Sequence, residues 1–161
     1  MSFGRIFTIP WTATVANAGG NADLWEVLPG DDHPVRIRGI ILGQTSEVAD
    51  AAEESVAISV VRLTATVTSG GGTAGAPECP ESNAITPSFT SETNGATVAT
   101  TTGNTDIIYR YAWNIRSSPY EIRYEVDEMP RAGQGEGLFV RLDSTVADDL
   151  VFVGTLVVEE A

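Results

Sequence analysis

Glu136-Gly137-Leu138-Phe139-Val140-Arg141-Leu142 and Leu150-Val151-Phe152-Val153-Gly154-Thr155-Leu156-Val157-Val158-Glu159-Glu160 decide how this sequence folds. Both stretches are rich in β-branched and aromatic residues. The polar, mostly acidic residues Asp143, Ser144, Asp148 and Asp149 lie between them. That combination predicts an antiparallel strand pair closing an all-β domain. A final strand also holds its end of the chain in a sheet instead of letting it fray.

The same signals recur upstream. Residues 5–9 read as a strand, with Pro10 and Trp11 marking an edge or a bend. A turn at Gly19-Gly20-Asn21 precedes a strand over 22–28, and Pro29-Gly30-Asp31-Asp32 is a second turn. Residues 35–42 alternate at their start and are apolar on both faces at their end. Residues 56–67 form a long strand candidate in which adjacent Val60 and Val61 suggest a bulge. The clearest period of two places Ile107, Tyr109, Tyr111, Trp113 and Ile115 on one face, with Asp106, Arg110, Asn114 and Arg116 opposite. Tyr120, Ile122, Tyr124 and Val126 repeat it against Glu121, Arg123, Glu125 and Asp127.

Asn94-Gly95 is a hairpin signal joining 88–93 to 96–101 as an exposed flap. Residues 69–87 are rich in Gly and Pro and predict a flexible exposed loop outside the core. Residues 45–54, capped by Ser46, are the one helical candidate. The expectation is a single β domain over 1–161: all-β, an antiparallel jelly-roll-like β-sandwich or barrel with at most one short helix. Its core should include Ile37, Ile41, Ile58, Val140, Leu142, Leu156 and Val158.

The net charge is −13, and all nine basic residues are arginine. Such a surface repels phosphate backbones and anionic lipid, so neither nucleic acid nor membrane is an expected partner. No apolar run approaches the ~20 residues that cross a bilayer, and residues 1–7 lack the pattern of a signal peptide. Arg36, Arg38, Arg110, Arg116 and Arg123 stand opposite apolar strand faces. They are candidates for carboxylate pairing with a neighbouring copy in a cyclic oligomer, most simply a trimer. Trp11, beside Pro10, is the candidate surface aromatic, while Trp113 and Trp25 read as core.

Residues suited to reaction chemistry are sparse. His33 is the single histidine and Cys79 the single cysteine, which leaves a zinc site short of ligands. Cys79 sits between Glu78 and Glu81, whose charge raises a thiol pKa instead of activating it. The glycine runs at 70–72 and 133–137 lack the lysine of a phosphate loop. The pairs Asp31-Asp32, Glu53-Glu54, Asp148-Asp149 and Glu159-Glu160 lack calcium-loop spacing, and Asp31-Asp32 is the best of them. The expectation is a non-enzymatic protein with no catalytic residues, cofactor or metal.

Three blocks carry a resemblance. One is Gly39-Ile40-Ile41-Leu42-Gly43-Gln44-Thr45-Ser46, followed by Asp50-Ala51-Ala52-Glu53-Glu54 and Arg62. The second is Trp113-Asn114-Ile115-Arg116 with Met129-Pro130-Arg131. The third is Gly154-Thr155-Leu156-Val157-Val158-Glu159-Glu160. In this order they resemble a widespread family of small proteins of tailed bacteriophages and prophages. The resemblance implies a virion structural protein, of head decoration or cement type, jelly-roll-like and often trimeric. It also implies the major capsid protein or an adjacent virion subunit as partner, and it brings no catalytic residues. The alternative reading is a carbohydrate- or receptor-binding module of a head fibre or tail, for which Trp11 would be a stacking surface.

Overall fold

The computed structural model describes residues 4–16, 21–46, 54–117 and 119–161. In chain order the strands are β1 (Arg5–Val15), β2 (Ala22–Leu28), β3 (Val35–Gln44), β4 (Ser55–Leu63), β5 (Val67–Thr68), β6 (Thr73–Ala74) and β7 (Thr90–Thr93). They continue with β8 (Thr100–Thr101), β9 (Thr105–Asn114), β10 (Tyr120–Arg123), β11 (Arg131–Ala132), β12 (Gly137–Leu142) and β13 (Leu150–Glu160). One 3₁₀ turn, Val126–Glu128, lies between β10 and β11. The fold is all-β and antiparallel. The helical candidate at 45–54 falls largely on residues outside those described, as do Gly19 and Gly20 of the first turn.

Two sheets face each other across the core. The first runs β1-β13-β3-β10 with β11 also on β3; the second runs β6-β7-β2-β12-β4-β9. The long strands are nested: β1 pairs with β13 and β2 with β12, so the ends of the chain enclose its middle. The segments Gly137–Leu142 and Leu150–Glu160 are strands, but not a pair. β12 lies in the second sheet between β2 and β4, whereas β13 lies in the first between β1 and β3. The acidic link between them crosses from one sheet to the other. Each strand thereby has a partner on both edges and buries one full face, which a free-standing hairpin could not do.

Inward residues alternate along β13: Leu150, Phe152, Leu156 and Val158 are fully buried. Gly154 keeps this face open where the Trp25 indole crosses from the opposite sheet, since a Cβ there would sit 2.6 Å from the ring and 2.7 Å from Ile41 O. Trp11 is a core residue, only 8% exposed. It meets Trp25 edge-on at 5.3 Å and stacks on Phe152 at 6.3 Å. Pro10 does not bend the strand, because β1 is an edge strand with only β13 as its sheet neighbour. Phe7, Ile9 and Trp11 therefore keep one phase and face inward together.

Three register shifts decide which side chains lie where. In β3, opposite Val157 and Val158, Arg38 is the extra residue. The inward phase passes from Val35 and Ile37 to Ile40 and Leu42, so Ile41, expected in the core, turns outward and is only partly buried. The other six expected core residues are buried. Between β4 and β9 the shift falls at Val60/Val61, where adjacent valines suggested it, with Ile108 as the extra residue. It throws Ile107 to the outer face, 50% exposed and out of phase with the tyrosines. In β2, opposite Val140 and Arg141, Leu24 is the extra residue.

Residues 69–87 form an ordered strap. β6 pairs with β7 at the edge of the second sheet, and Thr8 and Glu78 exchange two backbone hydrogen bonds of 2.8 Å at the free edge of β1 in the first. Cys79, placed by the sequence in a mobile loop, is buried in the core. The strap closes one side of the sandwich and covers part of an edge strand that would otherwise be open to pairing. Asn94 bends the chain at φ 53°, but the expected hairpin does not form. Asn94 and Gly95 donate to Leu24 O and Asp23 O, while β8 pairs with β5. This small lobe lies over the outer face of the second sheet and buries Phe139, Val61, Leu63 and Ala99.

Candidate interaction surfaces

The outer face of the first sheet departs from the charge of the chain. Four arginines project there, Arg36 and Arg38 from β3, Arg123 from β10 and Arg131 from β11, against three glutamates, Glu121, Glu159 and, bridged to Thr8 at the β1 edge, Glu78. Arg38 lies 3.3 Å from Glu159 and Arg123 lies 3.0 Å from Glu121. Each contact occupies one of five guanidinium N–H donors and leaves the others for a partner. Between these arginines a groove of about 490 Å³ has Ile6, Ile41 and Val157 on its floor. Ile41 is there because of the Arg38 bulge.

Of the remaining arginines singled out by sequence, Arg110 reaches Asp143 at 3.6 Å and is well exposed. Arg116 sits at the β9–β10 connection beside Gln44 and Pro119. Arg36 and Arg116 make no ion pair among the described residues. The structure thus brings Arg36, Arg38 and Arg123 to one face and leaves Arg110 and Arg116 elsewhere. With Trp11 buried, no tryptophan is available as an exposed stacking platform: Trp25 and Trp113 are buried as well.

The second sheet carries a polar cluster that sequence reasoning missed. Leu24, as the extra residue of β2, turns Asp23 and Glu26 onto the same outer face. Asp23, whose side chain is 1% exposed, accepts from Arg141 Nε at 2.6 Å and Nη2 at 3.2 Å. It also accepts from Ala99 N at 2.6 Å, and Arg141 Nη2 returns a bond to Ala99 O at 3.2 Å. This bidentate pair fastens the lobe to the sheet.

Glu26 stands directly opposite Glu92 of β7 and is 4% exposed. Glu92 accepts from Ser69 Oγ at 2.5 Å and Gly72 N at 2.9 Å, while Glu26 Oε1 has no hydrogen-bond partner among the described residues. Burial, then the Glu92 charge, push the Glu26 carboxyl up to about 7. Hydrogen bonding from Ser69 and Gly70 opposes the rise.

Four tyrosines line the opening between β9 and β10. Tyr109 stacks on Tyr111 and Tyr124, and the Tyr111 and Tyr124 hydroxyls meet at 3.0 Å. Burial raises the pKa of Tyr111, Tyr120 and Tyr124, so all three are neutral donors at physiological pH. Tyr109 Oη donates to Glu128 O at 2.8 Å and anchors the 3₁₀ turn.

His33 is exposed in its turn, and among the described residues no three His, Cys, Asp or Glu side chains converge to hold a metal. Asp31-Asp32 and Asp148-Asp149 are exposed, and Asp31 accepts from Gln134 Nε2 at 3.2 Å. Glu159 and Glu160 diverge, the first toward Arg38 and the second inward onto Ser88 N at 2.7 Å and the Ser88 hydroxyl. Among the described residues no helix is long and apolar enough to cross a membrane. Comparison with protein families, curated proteins and solved structures found no match to this chain.

Proposed function

We propose that this chain is a structural protein of a tailed-bacteriophage virion, a head decoration or cement protein that binds the major capsid protein and stabilises the shell. One observation supports this most directly. The strand orders β1-β13-β3-β10 and β2-β12-β4-β9 nest the long strands in two facing antiparallel sheets, an arrangement compatible with a jelly roll, which is common in capsid and lectin domains. It spans all three blocks that resemble the phage family. Cement function requires a rigid scaffold, a soluble outer surface and a docking face, and needs no reaction chemistry. A protein that binds only the assembled shell opposes its disassembly by mass action. The chain acts as a cyclic homo-oligomer, a trimer, on the virion.

The test uses heads of the phage that encodes this chain, prepared without it. Added protein should co-sediment with the heads at a fixed stoichiometry and raise the temperature at which they release DNA. Absence of co-sedimentation overturns the proposal. Specific binding on a glycan array without affinity for heads would replace it with the receptor-binding reading. That reading is weakened by the burial of Trp11, since sugar stacking needs an exposed ring.

A further inference from the structure

We propose that the groove on the outer face of the first sheet docks a second copy of this chain, and that its occupant is the turn Glu125-Val126-Asp127-Glu128. The two patches are opposite in every property that matters for docking. The groove has an apolar floor of Ile6, Ile41 and Val157 between Arg38 and Arg123. The turn carries Val126 at its tip, 66% exposed and the most exposed large hydrophobic residue described. Three exposed carboxylates flank it. An isolated valine exposed on a surface is ordinary. A valine between three acids, on a chain that also carries an apolar groove between arginines, is a matched pair.

The turn is already in its binding shape. Glu128 N donates to Glu125 O at 2.9 Å, and Tyr109 Oη holds Glu128 O at 2.8 Å from inside. Tyr124 N bonds Arg38 O on one flank, and Ile37 N bonds Pro130 O on the other. Docking therefore costs little ordering entropy. Charge complementarity also selects the occupant. On a chain of net charge −13, random approach of two copies is repulsive, and contact is favoured only where the arginine face meets an acidic segment. The two patches are unlike and adjoin each other, Tyr124 lining the groove and Glu125 beginning the turn, so the same contact serves a reciprocal twofold dimer or a closed head-to-tail ring.

The inference deepens the oligomer part of the proposed function, and it is tested on the isolated protein so that the two can fail separately. Sedimentation and light scattering of the full chain should show a discrete oligomer whose dissociation constant rises with added salt. Val126→Asp and Arg123→Glu should each weaken it at least about tenfold. Both side chains are exposed, so circular dichroism and the unfolding midpoint should stay unchanged, which separates loss of docking from loss of fold. A monomeric parent protein overturns the inference, as does an oligomer that both variants leave intact. Head binding plays no part in either result: an oligomer that fails to bind heads sinks the capsid proposal alone.

Discussion

Replacing Glu26 by Gln should stabilise the protein above neutral pH and leave it nearly unchanged near pH 5. Gln keeps the shape and removes the charge, and its amide can donate to Glu92. In the folded protein the Glu26 carboxyl is held up at about 7 against an ordinary 4.5. A group with a raised folded pKa contributes fully below its unfolded value and loses that contribution as pH rises through the folded one. The window is therefore pH 4.5 to about 7. At about 1.4 kcal/mol per pKa unit the loss reaches about 3 kcal/mol as an upper bound. Water relaxing around the one-layer strap over the carboxylates screens part of it, so about 1–2 kcal/mol is the expected effect.

Urea unfolding followed by tryptophan fluorescence at pH 5, 6, 7 and 8 provides the assay, because Trp11 and Trp25 are buried against one another. The parent curve should fall relative to the variant across this series. At about 3 °C per kcal/mol for a chain of this size, Tm should separate by several degrees at pH 8. Parallel profiles from pH 5 to 8 would refute the reasoning, and so would a variant less stable than the parent at pH 8.

Two further substitutions probe the packing. Arg141→Ala leaves Asp23 charged and buried without its bidentate partner, so it should cost about 3–5 kcal/mol in denaturant unfolding. Hydrogen exchange of the Ala99 amide should accelerate as the lobe loosens. Gly154→Ala should cost about 1–3 kcal/mol, because its methyl meets the Trp25 ring and a backbone carbonyl, neither of which can swing aside; the shift in urea midpoint reads it directly.

Strand positions and the all-β class were legible because period two survives wherever a strand has one buried face. What escaped were the places where the period slips. Asp23 and Glu26 would lie on opposite faces of a regular strand, and only the extra Leu24 puts them together. Ile41 and Ile107 read as inward for the same reason, since a bulge three residues from the first and one from the second reverses the phase. Adjacent Val60 and Val61 did betray one bulge. Pairing partners were less legible still. Local signals favour a hairpin between β12 and β13, but burying both strands between two neighbours outweighs the short link. The strap was misread because glycine content measures chain freedom, not the bonds that remove it. Gly72 is needed where a Cβ would sit 2.6 Å from Thr93 O. Of the contact residues chosen by sequence, the arginines on the first sheet share a face that alternation predicts, whereas Trp11 was lost to a proline that the edge strand tolerates.

The enclosure of the chain's middle by its ends has a kinetic consequence. β13 occupies an interior place in the first sheet, between β1 and β3, and its pairing with β1 joins Arg5 to Glu160. Until β13 leaves the ribosome, β1 and β3 present open edges to each other across a missing strand. The first sheet can therefore close only after β13 has been made, across the chain from Arg5 to Glu160, which places folding in the slow, millisecond-to-second regime of non-local β proteins. Chains interrupted before Leu150 would keep those edges bare and would be captured by one another instead of by β13.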